Sequence, residues 1–306
     1  MRKNSAIYLW ILIGLWGAGA HSAAAVAMGL YDGRTLQPAT LNAALEQIQP
    51  GTIVLLGEMH GLGPVRDQHV EILNALRARH STPISVGMEF FNYTNQSTLN
   101  EFSAGQITED DFLKSVNWQG FGFEFYRYQV LFPQFSKNEM IVGLNISRTI
   151  TSQIAKSGLE SLTPDQRQFM PPDFSVGRAS YRERFFAAMG MHPTPQLENY
   201  FVAQSTWDDT MAWQAVEFVK NHPDHIFVII VGEFHVQFGG GLPDRLRARL
   251  LHEKLNPNIT SFSQIYTDGM TAEDIWNEMQ PSEIEGPRAD FVWLSQPAAP
   301  PVIQSK

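Results

Sequence analysis

The chain has 306 residues, with 22 Lys+Arg against 31 Asp+Glu for a formal charge of −9, and it contains no cysteine. An acidic balance argues against nucleic acid as a partner, because that binding rests on a basic face that neutralises phosphates. The missing thiol excludes disulfides, thiolate metal sites, a cysteine nucleophile and an acylated lipoprotein cysteine together.

The N-terminus reads as an export signal over residues 1–24. Arg2 and Lys3 precede an uncharged, mostly apolar run from Ala6 to Ala20, and Ser22 and Ala24 supply a small-residue cleavage pattern. The apolar run is about 15 residues, short of the roughly 20 that a bilayer span needs. The expectation is therefore a periplasmic or secreted protein with no stable membrane insertion after signal removal. Losing Arg2 and Lys3 and no acid leaves 20 basic against 31 acidic residues, a charge of −11. Residues 25–295 suffice for a single α/β domain. The Pro/Ala/Ser-rich end, 296–306, has the composition of a flexible tail.

In chain order, apolar runs at Thr52–Leu56, Ile84–Met88, Met140–Leu144 and Ile226–Val231 predict buried strands, because none alternates with polar residues. Further strands are expected at Ile259–Tyr266 and Phe291–Leu294. Helices are expected at Val65–Arg79 behind a Gly-Leu-Gly-Pro turn, at Leu197–Asn221, and at Pro243–Leu255 after three glycines. Strand-then-helix recurrence predicts an α/β fold with a largely parallel or mixed central sheet flanked by helices. Residues 92–200 are less regular and read as a mostly helical excursion above the carboxyl ends of the strands. Within it, eight of the eighteen residues from Trp118 to Phe135 are aromatic.

Each of the four strands ends in a polar residue of functional type. Glu58 and His60 follow the first in "IVLLGEMHGLG", Glu89 the second in "VGMEFF", and Asn145 the third in "GLNISR". Glu233 and His235 follow the fourth in "VIIVGEFHVQFGGG". The two Gly-Glu-X-His segments lie about 175 residues apart and read as one site built twice. In an open α/β sheet, ligands collect outside the carboxyl ends of the strands. Imidazoles and carboxylates gathered there suit either a divalent transition metal held by His60, His235 and Glu58 or metal-free acid–base catalysis by Glu58, His60, Glu89, Glu233 and His235. Gly57 and Gly232 allow a sharp turn or a close approach at the strand end.

On the helix through "AQSTWDDTMAWQAV", Gln204, Asp208, Met211 and Ala215 share one face, which puts two polar groups on a packing stripe; they read as pointing into the same pocket or as serving a capping or surface role. His69 reads as a surface helix position or as a support behind the pocket. His80, His222, His225 and His252 sit among charges or at helix ends and are expected to be solvated. His192, in "MGMHPTP", is either an exposed loop histidine or a ligand to metal or haem iron. No HEXXH, G-X-S-X-G, Walker A or GXGXXG pattern is present, and "GQITEDDF" lacks the acidic spacing of a calcium loop.

With "LLGEMHGLGPVRDQHVEIL", "VGMEFF", "GLNISR", "AQSTWDDTMA" and "VIIVGEFHVQFGGGLPDRL" in this order, the chain resembles the ChaN-like haem-binding uptake family of the Tiki superfamily. That superfamily also holds erythromycin esterase-like enzymes and the Tiki metalloproteases. The resemblance runs from about Asp32 to Trp293. It implies export and a role in iron or haem uptake, with haem as the cofactor or small-molecule ligand, in some members as cofacial haems in a homodimer ligated by tyrosine. It maps metal-ligating motifs onto Gly57/His60 and Gly232/His235, acidic partners onto Glu58, Glu89 and Glu233, and the helix motif onto Gln204 and Asp208. The haem tyrosine belongs to no motif that maps; Tyr126 and Tyr128, in the aromatic segment, are the candidates, and that segment reads equally as ordinary core. An exported haem/iron-binding protein and a metal-dependent or Glu/His-dependent hydrolase, esterase or peptidase-like, are the two main functional readings, with a structural or partner-binding exported protein carrying a vestigial site as the third.

Overall fold

The structure is a computed structural model that describes residues 27–118, 122–190 and 194–296. The segment expected to be an export signal, His192 and the tail from residue 297 lie outside the described residues. Seven strands form one sheet: β1 Gly29–Asp32, β2 Ile53–Glu58, β3 Ile84–Asn92, β4 Ile141–Asn145, β5 Ile226–Gly232, β6 Ile259–Tyr266 and β7 Phe291–Ser295. Their spatial order is β1-β7-β6-β2-β5-β3-β4. Every neighbouring pair is parallel except β1 with β7. The sheet is thus mixed, parallel but for one edge strand, and β1 is the one described strand that the sequence did not announce: four residues at an edge leave too short a pattern to see.

The central strands are buried on both faces, which is why their sequences run apolar without alternation. Val54, Leu56, Val86, Val228 and Ile230 face a layer that includes Ile72, Leu73 and Leu76 of the Gly63–Arg79 helix. Ile53, Leu55, Phe227, Ile229 and Val231 face the other layer. There Met211, Ala212 and Ala215 of the Pro195–Asn221 helix and Leu246 of the Leu242–His252 helix cover them. Thr194 caps the long helix by accepting from Leu197 N, and Pro195 opens it, a start that needs no amide donor from the proline.

Residues 92–200 are mostly short helices and turns, as expected, but β4 passes through them and completes the sheet edge. Between β3 and β4 the register jumps: Met88 pairs with Gly143, and Asn92 with Asn145. Glu89 falls on this irregularity, the kind of local break that re-aims a side chain at a sheet rim.

Candidate active site

Glu58 is the last residue of β2 and pairs with Gly232, the last of β5. From those ends a continuous chain of side chains crosses the rim of the sheet. Tyr126 donates its hydroxyl to Glu58 Oε1 at 2.7 Å, and the same oxygen meets His60 Nδ1 at 2.8 Å. His60 Nε2 reaches Glu89 Oε1 at 2.8 Å, while Glu89 Oε2 lies 3.6 Å from His235 Nε2. His235 Nδ1 meets Asp208 Oδ1 at 2.6 Å. Tyr181 closes the chain by donating to Asp208 Oδ2 at 2.9 Å, and the Gln204 amide lies 3.1 Å from the Tyr181 hydroxyl and 3.2 Å from His235 Nδ1. Glu89 is the hinge, one carboxylate between two imidazoles, and it also accepts the Gly232 N–H at 3.0 Å.

Close approach explains Gly232. A Cβ there would stand 3.0 Å from His60 Nε2 and 3.5 Å from Glu89 Oε1. Gly241 is needed for two reasons: its φ is +62°, and a Cβ would meet His235 O at 2.8 Å and Asp208 Oδ1 at 2.9 Å.

Charge follows from the contacts. Burial works against a proton on His60, but its hydrogen bonds to Glu58 and Glu89 outweigh it and push its pKa up to about 10. His235 is also raised, since the field and hydrogen bond of Asp208 overcome burial. Burial opposes ionisation of Glu89, yet the hydrogen bond from His60 and the field of His235 hold its pKa below the usual carboxylate range. Near neutral pH the imidazolium of His60 therefore stands against an ionised Glu89 carboxylate, with the protonation of His235 favoured by Asp208. Burial, reinforced by Glu58 beside Tyr126 and by Asp208 beside Tyr181, keeps both phenols protonated as donors.

His60, Glu89 and His235 open onto a cavity of about 930 Å³ whose walls include Phe90, Trp118, Trp207 and Asn145. The side chain of His60 is 30% exposed and that of Glu58 3%, so His60 is the presenting group and Glu58 its buried support. The sequence matches the family described as haem-binding uptake, Tiki superfamily, ChaN over residues 44–246.

The chain belongs to that family.

Among solved structures it is similar to the ChaN of Campylobacter jejuni, described with cofacial haem binding, at a TM-score of 0.60 and 18% identity, covering 87% of this chain and 95% of that one. An erythromycin esterase mutant in its open conformation is more distant, with a TM-score of 0.45, 12% identity and coverage of 78% and 77%. So is the type III effector HopBA1, with 0.44, 11%, 84% and 91%. No curated protein matches the chain.

In this ChaN-family chain, Glu58, His60, Glu89, His235, Asp208 and Gln204 come together. Asn145 joins them as a support, donating its amide to Glu89 O at 3.0 Å. Glu233 does not join. Its carboxylate accepts from Ser263 and pairs with Arg288 at 2.6 Å, away from the cavity. The reason is register: Glu58 stands opposite Gly232, not opposite Glu233, so the two motifs are one residue out of step across the sheet. One residue in a strand reverses the face.

The expected metal set of His60, His235 and Glu58 lies along this chain of contacts but does not converge on one point. Among the described residues no group of three or more His, Asp and Glu side chains converges to hold an ion, and both ring nitrogens of His60 already face carboxylates. Tyr126 is buried in the network, whereas Tyr128 is 40% exposed and donates to Asn74 Oδ1 at 2.6 Å.

His69 is fully buried, 3.6 Å from Glu58 Oε2, and burial lowers its pKa, so it stands as a neutral support behind the site and not on the surface. His225, expected in solvent, is buried with its Nδ1 2.9 Å from Ser85 Oγ. Sequence reading missed Tyr181, Phe90 and Trp207. Tyr181 comes from the irregular segment, where no periodicity aims it. Trp207, next to Asp208 on the helix, carried a readable signal.

Proposed function

We propose that the protein is exported and binds haem or a related iron porphyrin in an uptake role, with Tyr128 as the iron ligand. Family membership supports the ligand class, and the exposure of the Tyr128 phenol supports the site. Tyr128, Leu131 and Phe132 line a surface pocket of about 540 Å³ together with Arg77 and Arg127. Leu131 and, just beyond it, Phe135 are exposed. A phenol and an apolar platform suit the iron and the macrocycle of a porphyrin; the Arg77 and Arg127 guanidiniums beside them are already paired with Glu139 and Glu109. When bound, haem would supply iron coordination; the chain would supply the phenolate oxygen, cover for the macrocycle and, as a homodimer pairing this patch with itself, exclusion of water. The test is a haemin titration of the mature protein followed by the Soret band. A saturable shift lost in Tyr128→Phe and kept in Tyr126→Phe is expected; a shift indifferent to Tyr128 overturns the assignment.

A second reading rests on a different observation, the His60–Glu89–His235 chain opening into its own cavity. It is a metal-free acid–base hydrolase. Water attacks an ester or amide carbonyl carbon as its proton passes to the Glu89 carboxylate. The imidazolium of His60 gives its proton to the leaving oxygen or nitrogen as the acyl bond breaks, releasing a carboxylic acid and an alcohol or amine. Proton return from Glu89 to His60 across their 2.8 Å contact resets the pair. Positioned acid–base groups contribute about 10²–10⁴-fold, so Glu89→Gln should lower ester turnover at least a hundredfold with haemin binding intact. Equal turnover in Glu89→Gln and wild type rules this chemistry out.

A further inference from the structure

The cavity wall carries a cation that the histidine network does not use. Arg148 follows β4 at the start of the Arg148–Ser157 helix and lines the same cavity as His60, Glu89 and His235. Other arginines of the fold are committed: Arg77 to Glu139, Arg184 to Glu285, Arg249 to Asp209 and Arg288 to Glu233. Arg148 has no carboxylate partner among the described residues and is exposed. Among the described residues only one carboxylate lines the cavity, Glu89, and it is already held by His60 and by the Gly232 N–H. Nothing on the wall therefore competes for the Arg148 guanidinium. The apolar part of the wall is aromatic, at Phe90, Trp118 and Trp207.

We propose that this cavity takes an aromatic or apolar organic acid, its ring against Phe90, Trp118 and Trp207 and its carboxylate or phosphate on Arg148, with an ester or amide bond presented to His60 and Glu89. The last clause rests on the hydrolytic reading; the anion subsite stands without it. A guanidinium fork pairs a planar oxyanion through two parallel hydrogen bonds and is only weakly hydrated, so it is suited to exchange water for such a group. The net negative charge of the chain repels anions at long range. Selection for an acid then depends on this local contact and is sensitive to a single substitution. Arg148 is a specificity residue in this scheme; proton transfer stays with His60 and Glu89.

Calorimetric titration of the full mature chain with 1-naphthoate, 1-naphthyl phosphate and neutral 1-naphthamide measures the preference directly. Both acids, or one of them, are expected to bind at least about tenfold more tightly than the amide, in keeping with a bidentate charged contact; which acid wins identifies the anion. Arg148→Gln should bring acid and amide to within about twofold, and Arg148→Lys should restore part of the gap. Arg148 holds no structural partner, so a fold lost in Arg148→Gln is not expected, and Arg148→Lys provides the control that keeps the charge. Equal binding of acid and amide by wild type, or a preference that survives Arg148→Gln, overturns the proposal. Turnover of 4-acetoxy-1-naphthoate against 1-naphthyl acetate is the second arm, where Arg148→Gln should erase the kcat/KM advantage of the acid through KM. If neither ester is cleaved while the acid preference still disappears with Arg148, the hydrolytic reading fails and the anion subsite is upheld.

Discussion

His60 concentrates the chemistry of the site in one side chain. Its ordinary pKa of 6.5 is raised to about 10, so the folded protein holds a proton that the unfolded chain releases first. A raised histidine adds stability that is complete below about pH 6.5 and is withdrawn as pH climbs through the folded value. Thermal unfolding should thus show a Tm that declines between pH 6.5 and 10, and His60→Gln should flatten that decline; a parallel slope in the variant would mean another group is responsible. Glu89 acts in the opposite sense, since its lowered pKa adds stability that is lost as pH falls below the ordinary carboxylate range. At the same scale, Gly232→Ala should displace His60 and Glu89 by a few tenths of an ångström, because the added methyl would stand 3.0 Å from His60 Nε2. On the hydrolytic reading, ester turnover is expected to drop by up to about 10²-fold, the loss that a misplacement of about 1 Å can cause, with Tm nearly kept.

At the level of strands and helices, the sheet core was the most legible part of the chain. Uninterrupted apolar runs marked four of the seven strands, since burial on two faces leaves no room for polar residues, and two more were expected toward the C-terminus. Ile229 shows what that burial is worth. It is fully buried on β5 and packs with the layer of Met211, Ala215 and Leu246. Ile229→Ala should cost about 2–5 kcal/mol, measurable by urea unfolding, and a cost below 1 kcal/mol would contradict the packing described. The polar strand ends were legible too, because a rigid strand fixes where its last residue points. Glu233 escaped this logic. Two segments with the same letters end their strands one position apart, and sequence identity carries no information about pairing register. Tyr181 escaped for another reason: its helix is short, its neighbours are irregular, and only the folded path carries its hydroxyl to Asp208.

Across the whole molecule, β7 and the Ala272–Met279 helix before it are tied to the end of the central strand β5 by Arg288. This buried guanidinium pairs with Glu233 at the end of β5 and with Glu278 at 2.6 Å on the Ala272–Met279 helix, and the Glu233 and Glu278 carboxylates keep its pKa high against burial. Removing one partner of such a pair leaves an uncompensated buried charge, so Arg288→Met should destabilise by about 3–5 kcal/mol. The double variant Arg288→Met/Glu233→Met should recover much of that loss in chemical denaturation. Recovery would identify Glu233 as a clamp; lack of recovery, with turnover abolished, would return it to the active site.

The run of contacts from Tyr126 through Glu58, His60, Glu89, His235 and Asp208 to Tyr181 also constrains how this sequence can drift. Deleting one member strands its buried neighbour, whereas exchanging two neighbours for a matched apolar pair is nearly neutral. Descendants that abandon this rim are expected to shed its members in couples, Tyr126 with Glu58 and Tyr181 with Asp208, leaving paired substitutions as the fossil trace of a lost site.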